Sequence, residues 1–215
     1  MAVKGGKTDI LKAVRKGKIG IMKRIVFLDR DGVINVNPVY RDYVKRPSEF
    51  KFLPGSRRAV KLLNEAGFLV MIISNQTGVG KGLYTGEDLK RITEKMTKGF
   101  AKSGARLDKI CYCIHHPDAG CLCRKPKTGM LKKAVAGIAF DRKNSYFIGD
   151  TERDMLAGRA FGLKTIAVLS GYCSKKDIKD WSINPDFVSR NLYSSVKDII
   201  LAERKLLRCL CRCHK

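Results

Sequence analysis

The sequence predicts an α/β protein, a three-layer, doubly wound parallel sheet with helices on both faces. Short unbroken apolar runs such as residues 25–28 and 68–73, rich in β-branched and aromatic residues, read as strands buried on both sides. They alternate with stretches of helical period, the order of parallel strands joined by crossover helices. The unusual polar residues follow directly on the apolar runs, at the carboxyl ends of the expected strands, where such sheets bind their ligands.

The first strand, Ile25-Val26-Phe27-Leu28, is stopped by Asp29-Arg30-Asp31-Gly32. Residues two apart in extended backbone face one side, so Asp29 and Asp31 are expected to project together beyond the strand. Paired carboxylates repel, and a hard divalent cation such as Mg²⁺ relieves them. Residues 35–54 contain Pro38, Pro47 and Pro54 and read as loop. Residues 56–66 have helical spacing and stop at Gly67. The second strand, 68–73, leads into Ser74-Asn75-Gln76-Thr77-Gly78. Thr85-Gly86-Glu87-Asp88 resembles a capping box with Asp in place of Glu or Gln, opening a helix to about residue 102. A third strand is expected around 107–113, a helix over 130–137, and a fourth strand over 146–148 ending in Gly149-Asp150. Then come a helix over 154–161, strands at 164–169 and 187–188, and a last helix from 192 to about 207.

With 215 residues, 44% hydrophobic and 30% charged, the chain has room for one domain with a proper core. No apolar run approaches the roughly 18 residues of a membrane span, and the basic N-terminus has no apolar signal region, so a cytoplasmic, membrane-free protein is expected; a monomer is expected as well. The formal charge is +24, and residues between the two basic ends remain basic, which favours anionic partners such as phosphate esters or nucleic acid. Residues 1–22 read as a basic extension, with Met22 a candidate start. Residues 23–202 read as the domain and 203–215 as a basic, Cys-rich tail. In that tail Cys209, Cys211 and Cys213 read as reactive thiols, the alternative being a second metal site formed together with His214.

Cysteine placement points to metal rather than disulfides. Cys113-Ile114-His115, five further residues and Cys121-Leu122-Cys123 offer three thiolates and one imidazole, a closed tetrahedral Zn²⁺ site without an open position for catalysis. Cys111 and His116 are the alternative ligands. The single-residue gaps are tighter than those of a nucleic-acid-binding finger. A rigid loop here would hold Arg124 and Lys125 at the mouth of the site.

Asp29 and Asp31, Ser74, Lys125 and Asp150 follow successive strands, and together they resemble the four motifs of the haloacid dehalogenase superfamily of phosphatases over nearly all of residues 24–200. That resemblance implies a Mg²⁺-dependent phosphomonoester hydrolase. Asp29 would be the nucleophile that becomes aspartyl-phosphate, and Asp31 the acid that protonates the leaving alcohol and then activates water. Ser74 and Lys125 would hold phosphoryl oxygens, and Asp150 would complete the magnesium site with Asp29 and the backbone of Asp31. An ionised Asp29 nearby is expected to raise the Asp31 pKa, which the acid role needs. The zinc loop followed by Arg124-Lys125-Pro126 is similar to the capless heptose bisphosphate phosphatase and histidinol phosphatase group. By that similarity Arg124 recognises substrate, Tyr40, Asn75, Gln76 and Thr77 line the site, and Gly129-Met130 leans toward a small phosphosugar, D-glycero-D-manno-heptose 1,7-bisphosphate, losing its 7-phosphate. Thr151 and Lys81 depart from that pattern, standing where lysine and arginine are usual. Histidinol phosphate is the alternative substrate. The non-enzymatic alternative is a basic zinc protein binding nucleic acid, against which the chain shows no aromatic stacking platform or recognition helix.

Overall fold

The computed structural model describes residues 22–38 and 42–203. The basic N-terminal extension, the expected site residue Tyr40 and the Cys-rich tail lie outside them. The element order is β1 (Arg24–Leu28), α1 (Ser56–Glu65), β2 (Phe68–Asn75), α2 (Thr77–Gly80), α3 (Gly86–Ala101), β3 (Lys109–Cys113), α4 (Gly129–Ala134), β4 (Tyr146–Gly149), α5 (Glu152–Ala160), β5 (Lys164–Val168), α6 (Lys175–Lys179), β6 (Phe187–Ser189) and α7 (Leu192–Ser194). The strands form one six-stranded sheet in the order β3-β2-β1-β4-β5-β6, every pairing parallel.

Alternate residues of β1 explain the three layers. Val26 and Leu28 face a core shared with Val60, Leu63, Ile92, Met96, Phe100 and Val196, while Ile25 and Phe27 face another with Met130, Leu131, Ala157 and Phe161. Both sides are buried, so the strand reads as a continuous apolar run rather than an alternating one. The chain leaves β1 for β2 and β3 on one side, then returns to β4 and continues outward. The order therefore reverses between β1 and β4, which end at Asp29 and Asp150 and open a crevice there.

Helix boundaries follow local chemistry. At α3 the Thr85 hydroxyl accepts from the Asp88 amide at 3.0 Å and the Asp88 carboxylate accepts from the Thr85 amide at 2.9 Å, so Asp completes the box. The short α2 and α6 were not anticipated, since each is under two turns and too brief for periodicity to register. The last helix begins at Leu192 as expected, but residues Ser195–Ile200 are wound as a π-helix, a widening that apolar spacing does not encode. It is tied to the sheet through Glu203, which accepts hydrogen bonds from the Tyr146 hydroxyl and from Lys164 Nζ. Among the described residues no separate cap domain stands over the crevice, and no helix is long and apolar enough to cross a membrane.

Candidate active site

The crevice is lined by Asp29, Asp31, Ser74, Asn75, Thr77, Arg124, Lys125 and Asp150, together with Asn37, Asp42, Tyr43, Thr151, Arg153 and Tyr172. Its floor is an ionic cluster. Lys125 is buried, and its Nζ lies 2.9 Å from Asp29 Oδ1 and 2.5 Å from Asp154 Oδ1, while donating to the Ile73 carbonyl at 2.9 Å. Burial works against that ammonium, but Asp154 and Asp29 together hold it protonated beyond its ordinary range.

Carboxylate oxygens of Asp29, Asp150 and Asp154 can all lie within 4.8 Å of one another. Burial pushes the Asp29 carboxyl up to about 6, with Lys125 opposing and Asp154 adding to the rise. Burial, then the facing carboxylates of Asp29 and Asp154, push Asp150 up to about 8. Three buried carboxylates against one ammonium leave an excess of negative charge on an all-oxygen donor set, which fits Mg²⁺. Two glycines press onto this cluster. A Cβ on Gly171 would stand 1.9 Å from Asp150 Oδ2 and one on Gly32, at φ +75, would stand 2.3 Å from it. Asp150 also accepts from Asn37 Nδ2 at 3.1 Å and from the Tyr172 amide at 3.0 Å.

Asp154 stands at the start of the helix expected over 154–161, and its two oxygens do different things. Oδ2 accepts from the Thr151 amide and hydroxyl at 3.1 and 2.7 Å, fixing the start of α5, while Oδ1 meets Lys125. Its complete burial is a property no helix-start motif announces.

Asp31 corrects one expectation. Both aspartates line the crevice, but the chain coils after Asp29: the Ile34 and Asn35 amides donate to the Arg30 carbonyl at 2.8 and 3.2 Å, so strand alternation no longer governs side-chain direction. The Asp31 carboxylate turns to Arg30, receiving Nε and Nη2 at 3.1 and 3.0 Å, and takes further bonds from Asn35 at 2.8 Å and Gln76 at 3.0 Å. Burial would raise its pKa, but the Arg30 guanidinium with Gln76 and Asn35 outweighs that, and the carboxyl is held below its ordinary value rather than above it. Arg30, read from sequence as a charge that ends the strand, is wholly buried.

Gln76 corrects another. Expected to line the site, it is fully buried behind it. Asn75 and Thr77 do face the crevice. Asn75 also brackets the backbone of Lys125, accepting from its amide at 3.1 Å and donating to its carbonyl at 3.3 Å. Arg124 donates to the Thr77 hydroxyl. Arg153, missed in the sequence, stands exposed on the rim, and its only signal was one more basic residue in a basic chain.

The Cys/His cluster assembles as read. Cys113, Cys121 and Cys123 place their sulfurs 3.3–3.6 Å apart, and His115 Nδ1 lies 3.6 Å from Cys113 Sγ and 3.1 Å from Cys123 Sγ. Zn–S bonds of about 2.3 Å in a tetrahedron give edges of roughly 3.7 Å, so the set fits zinc. Burial pushes the Cys113 thiol up to about 12. Cys121 goes down to about 6 because the Arg124 amide and the neighbouring thiols outweigh desolvation. Cys111 stays on β3 outside the cluster, and His116 accepts from the Asp118 amide. A Cβ on Gly80 would stand 2.4 Å from the His116 amide, so α2 lies directly against this loop.

A lysine among carboxylates at the switch point of a parallel sheet suits chemistry on a phosphate ester, and the HAD-hydrolase-like family model matches residues 122–195. A D-glycero-beta-D-manno-heptose-1,7-bisphosphate 7-phosphatase of Pasteurella multocida is 37% identical over 157 residues, 70% of this chain and 84% of that protein. A D-glycero-alpha-D-manno-heptose-1,7-bisphosphate 7-phosphatase of Campylobacter jejuni is 39% identical over 147 residues, 68% of this chain and 83% of that protein. The crystal structure of the D,D-heptose 1,7-bisphosphate phosphatase of B. bronchiseptica, complexed with magnesium and phosphate, superposes with a TM-score of 0.77 at 32% identity, covering 84% of this chain and 99% of that one. The chain belongs to the family of these phosphatases, within the HAD-like hydrolases.

Proposed function

We propose that the chain removes the 7-phosphate of D-glycero-D-manno-heptose 1,7-bisphosphate through an aspartyl-phosphate on Asp29. The observation that carries this reading is the convergence of Asp29, Ser74, Lys125 and Asp150 on one crevice whose rim adds the guanidiniums of Arg124 and Arg153. Phosphate monoesters resist hydrolysis so strongly that on the order of 20 kcal/mol of barrier must be removed, chiefly by positive charge set in advance around the phosphoryl group. Asp29, Asp150 and the Asp31 backbone would hold magnesium, which when bound supplies much of that charge. The Asp29 carboxylate attacks phosphorus while Asp31, which must first take up a proton against the Arg30 grip that lowers its pKa, gives that proton to the departing sugar oxygen. Asp31 then takes a proton from the water that releases phosphate, and Lys125 and Ser74 hold the phosphoryl oxygens throughout. Asp154 keeps Lys125 in place. A bisphosphate carries a second anion, for which Arg124 and Arg153 are the available cations.

On the same reading residues 23–202 form the phosphatase domain between two basic extensions, and the enzyme is a cytoplasmic monomer. The test is phosphate release with Mg²⁺ from both anomers of heptose 1,7-bisphosphate, histidinol phosphate and fructose bisphosphate. Preference for a heptose anomer is expected. Preference for histidinol phosphate, or no release from any of them, overturns the reading.

A further inference from the structure

Behind the crevice lie two buried polar groups, Tyr84 and Gln76, that are not part of its lining. The Tyr84 hydroxyl donates to Gln76 Oε1 at 2.8 Å, and the Gln76 Nε2 end then donates both to Asp31 Oδ2 and to Ser74 Oγ, each at 3.0 Å. Gln76 is fully buried and Tyr84 6% exposed, so neither competes with solvent for these bonds. An amide has one donor end and one acceptor end, and here the donor end is committed to Asp31 Oδ2 and Ser74 Oγ. The other end must therefore find a donor, and Tyr84 is that donor. Burial holds its phenol protonated well above the ordinary range, so the donor persists at any working pH. The ring is itself seated: a Cβ on Gly78 would stand 2.2 Å from Tyr84 Cε1, leaving the phenol no space to slide toward α2.

We propose that Tyr84 is a positioning residue for the phosphoryl transfer, acting through Gln76 to keep the Asp31 carboxyl aimed into the crevice. The inference rests on the acid–base role of Asp31 given above and goes beyond it. The geometry is that of an orienting third group, as in other acid–base sites where one side chain fixes a second and the second fixes the reacting one. Arg30 grips Asp31 from one side and Gln76 from another, while the Asp31 side chain keeps 23% of its surface, the part open to the crevice.

Tyr84→Phe removes the hydroxyl and keeps the ring against Gly78. Turnover is measured with the best sugar phosphate and with p-nitrophenyl phosphate, whose leaving group departs without taking a proton. General acid–base catalysis contributes about 10²- to 10⁴-fold, so loosening the acid is expected to lower kcat on the sugar phosphate about tenfold with KM within about twofold. The loss on p-nitrophenyl phosphate is expected to be several-fold smaller. Gln76→Leu should lose at least as much, and the double variant no more than Gln76→Leu alone, since both changes break one relay. Equal losses on the two substrates, a change confined to KM, or losses that multiply in the double variant overturn the relay while leaving the phosphatase reading standing. A wild-type chain that releases phosphate from no sugar phosphate overturns both.

Discussion

The two metal-holding clusters are opposite in construction. The acidic centre draws on residues from Asp29 to Asp154, delivered by two strand ends and the first turn of α5, and keeps one face open to the crevice. The Cys/His cluster draws on one short stretch, Cys113 to Cys123, and uses all four positions of a tetrahedron on the protein. An open set with surplus negative charge can act on a ligand. A closed set can only hold shape. They meet at Arg124 and Lys125, which follow Cys123 directly, so the closed cluster sets the register of the lysine on which the open one depends.

That contrast can be broken in order of expected effect. Asp29→Asn should abolish turnover, by about 10³-fold or more in phosphate release, because an amide cannot serve as the nucleophile. Its melting temperature should hold or rise, since a repelling buried carboxylate is removed, and full activity would end the covalent mechanism. Lys125→Met leaves Asp29 and Asp154 facing each other without a counter-charge. It should lower stability by about 3–5 kcal/mol in denaturant titrations as well as turnover, and a variant as stable as wild type would show that the cluster is not balanced by this ammonium. Cys121→Ser should act in the reverse sense, losing bound zinc by elemental analysis and several degrees of melting temperature, with about a tenfold secondary loss of kcat. Undiminished activity and stability without zinc would dissociate the two clusters.

The smallest effect concerns pH. In metal-free protein Asp29 and Asp150 bind protons more tightly folded, at about 6 and about 8, than at their ordinary 3.8. For these raised carboxyls the folded state is favoured by protonation, so their contribution is full below the ordinary value and is lost as pH climbs through about 6 and about 8. The rise in melting temperature on saturating with Mg²⁺ should accordingly be larger near pH 8 than near pH 5. Equal increments at both would mean the cation does not replace those protons.

Much of the fold and of the site is legible in the sequence, and the reasons differ by region. The Cys/His cluster announces itself because its ligands are neighbours in sequence. The strands announce themselves because burial on both faces of a parallel sheet leaves unbroken apolar runs, as in residues 25–28 and 68–73. Convergence of Asp29, Ser74, Lys125 and Asp150 was legible only through the rule that parallel strands end at one edge. What stayed hidden was side-chain direction where the backbone leaves a regular element. Alternation holds to Leu28 and fails in the coil after Asp29, so the Arg30 grip on Asp31, and with it the lowered pKa, could not be read. Gln76 was expected to line the site by the family resemblance, yet it is fully buried behind the site while Asn75 and Thr77 on either side of it face the crevice. Nothing in residues 195–200 distinguishes a π-wound segment from an ordinary helix by spacing alone.

β1 is the one strand flanked by both β2 and β4 within reach of the nucleophile, and every residue from Ile25 to Leu28 is fully buried. Its amides belong to the region that opens last, so they should be among the slowest in the chain to exchange with deuterium. Heat inactivation should then track global unfolding rather than precede it.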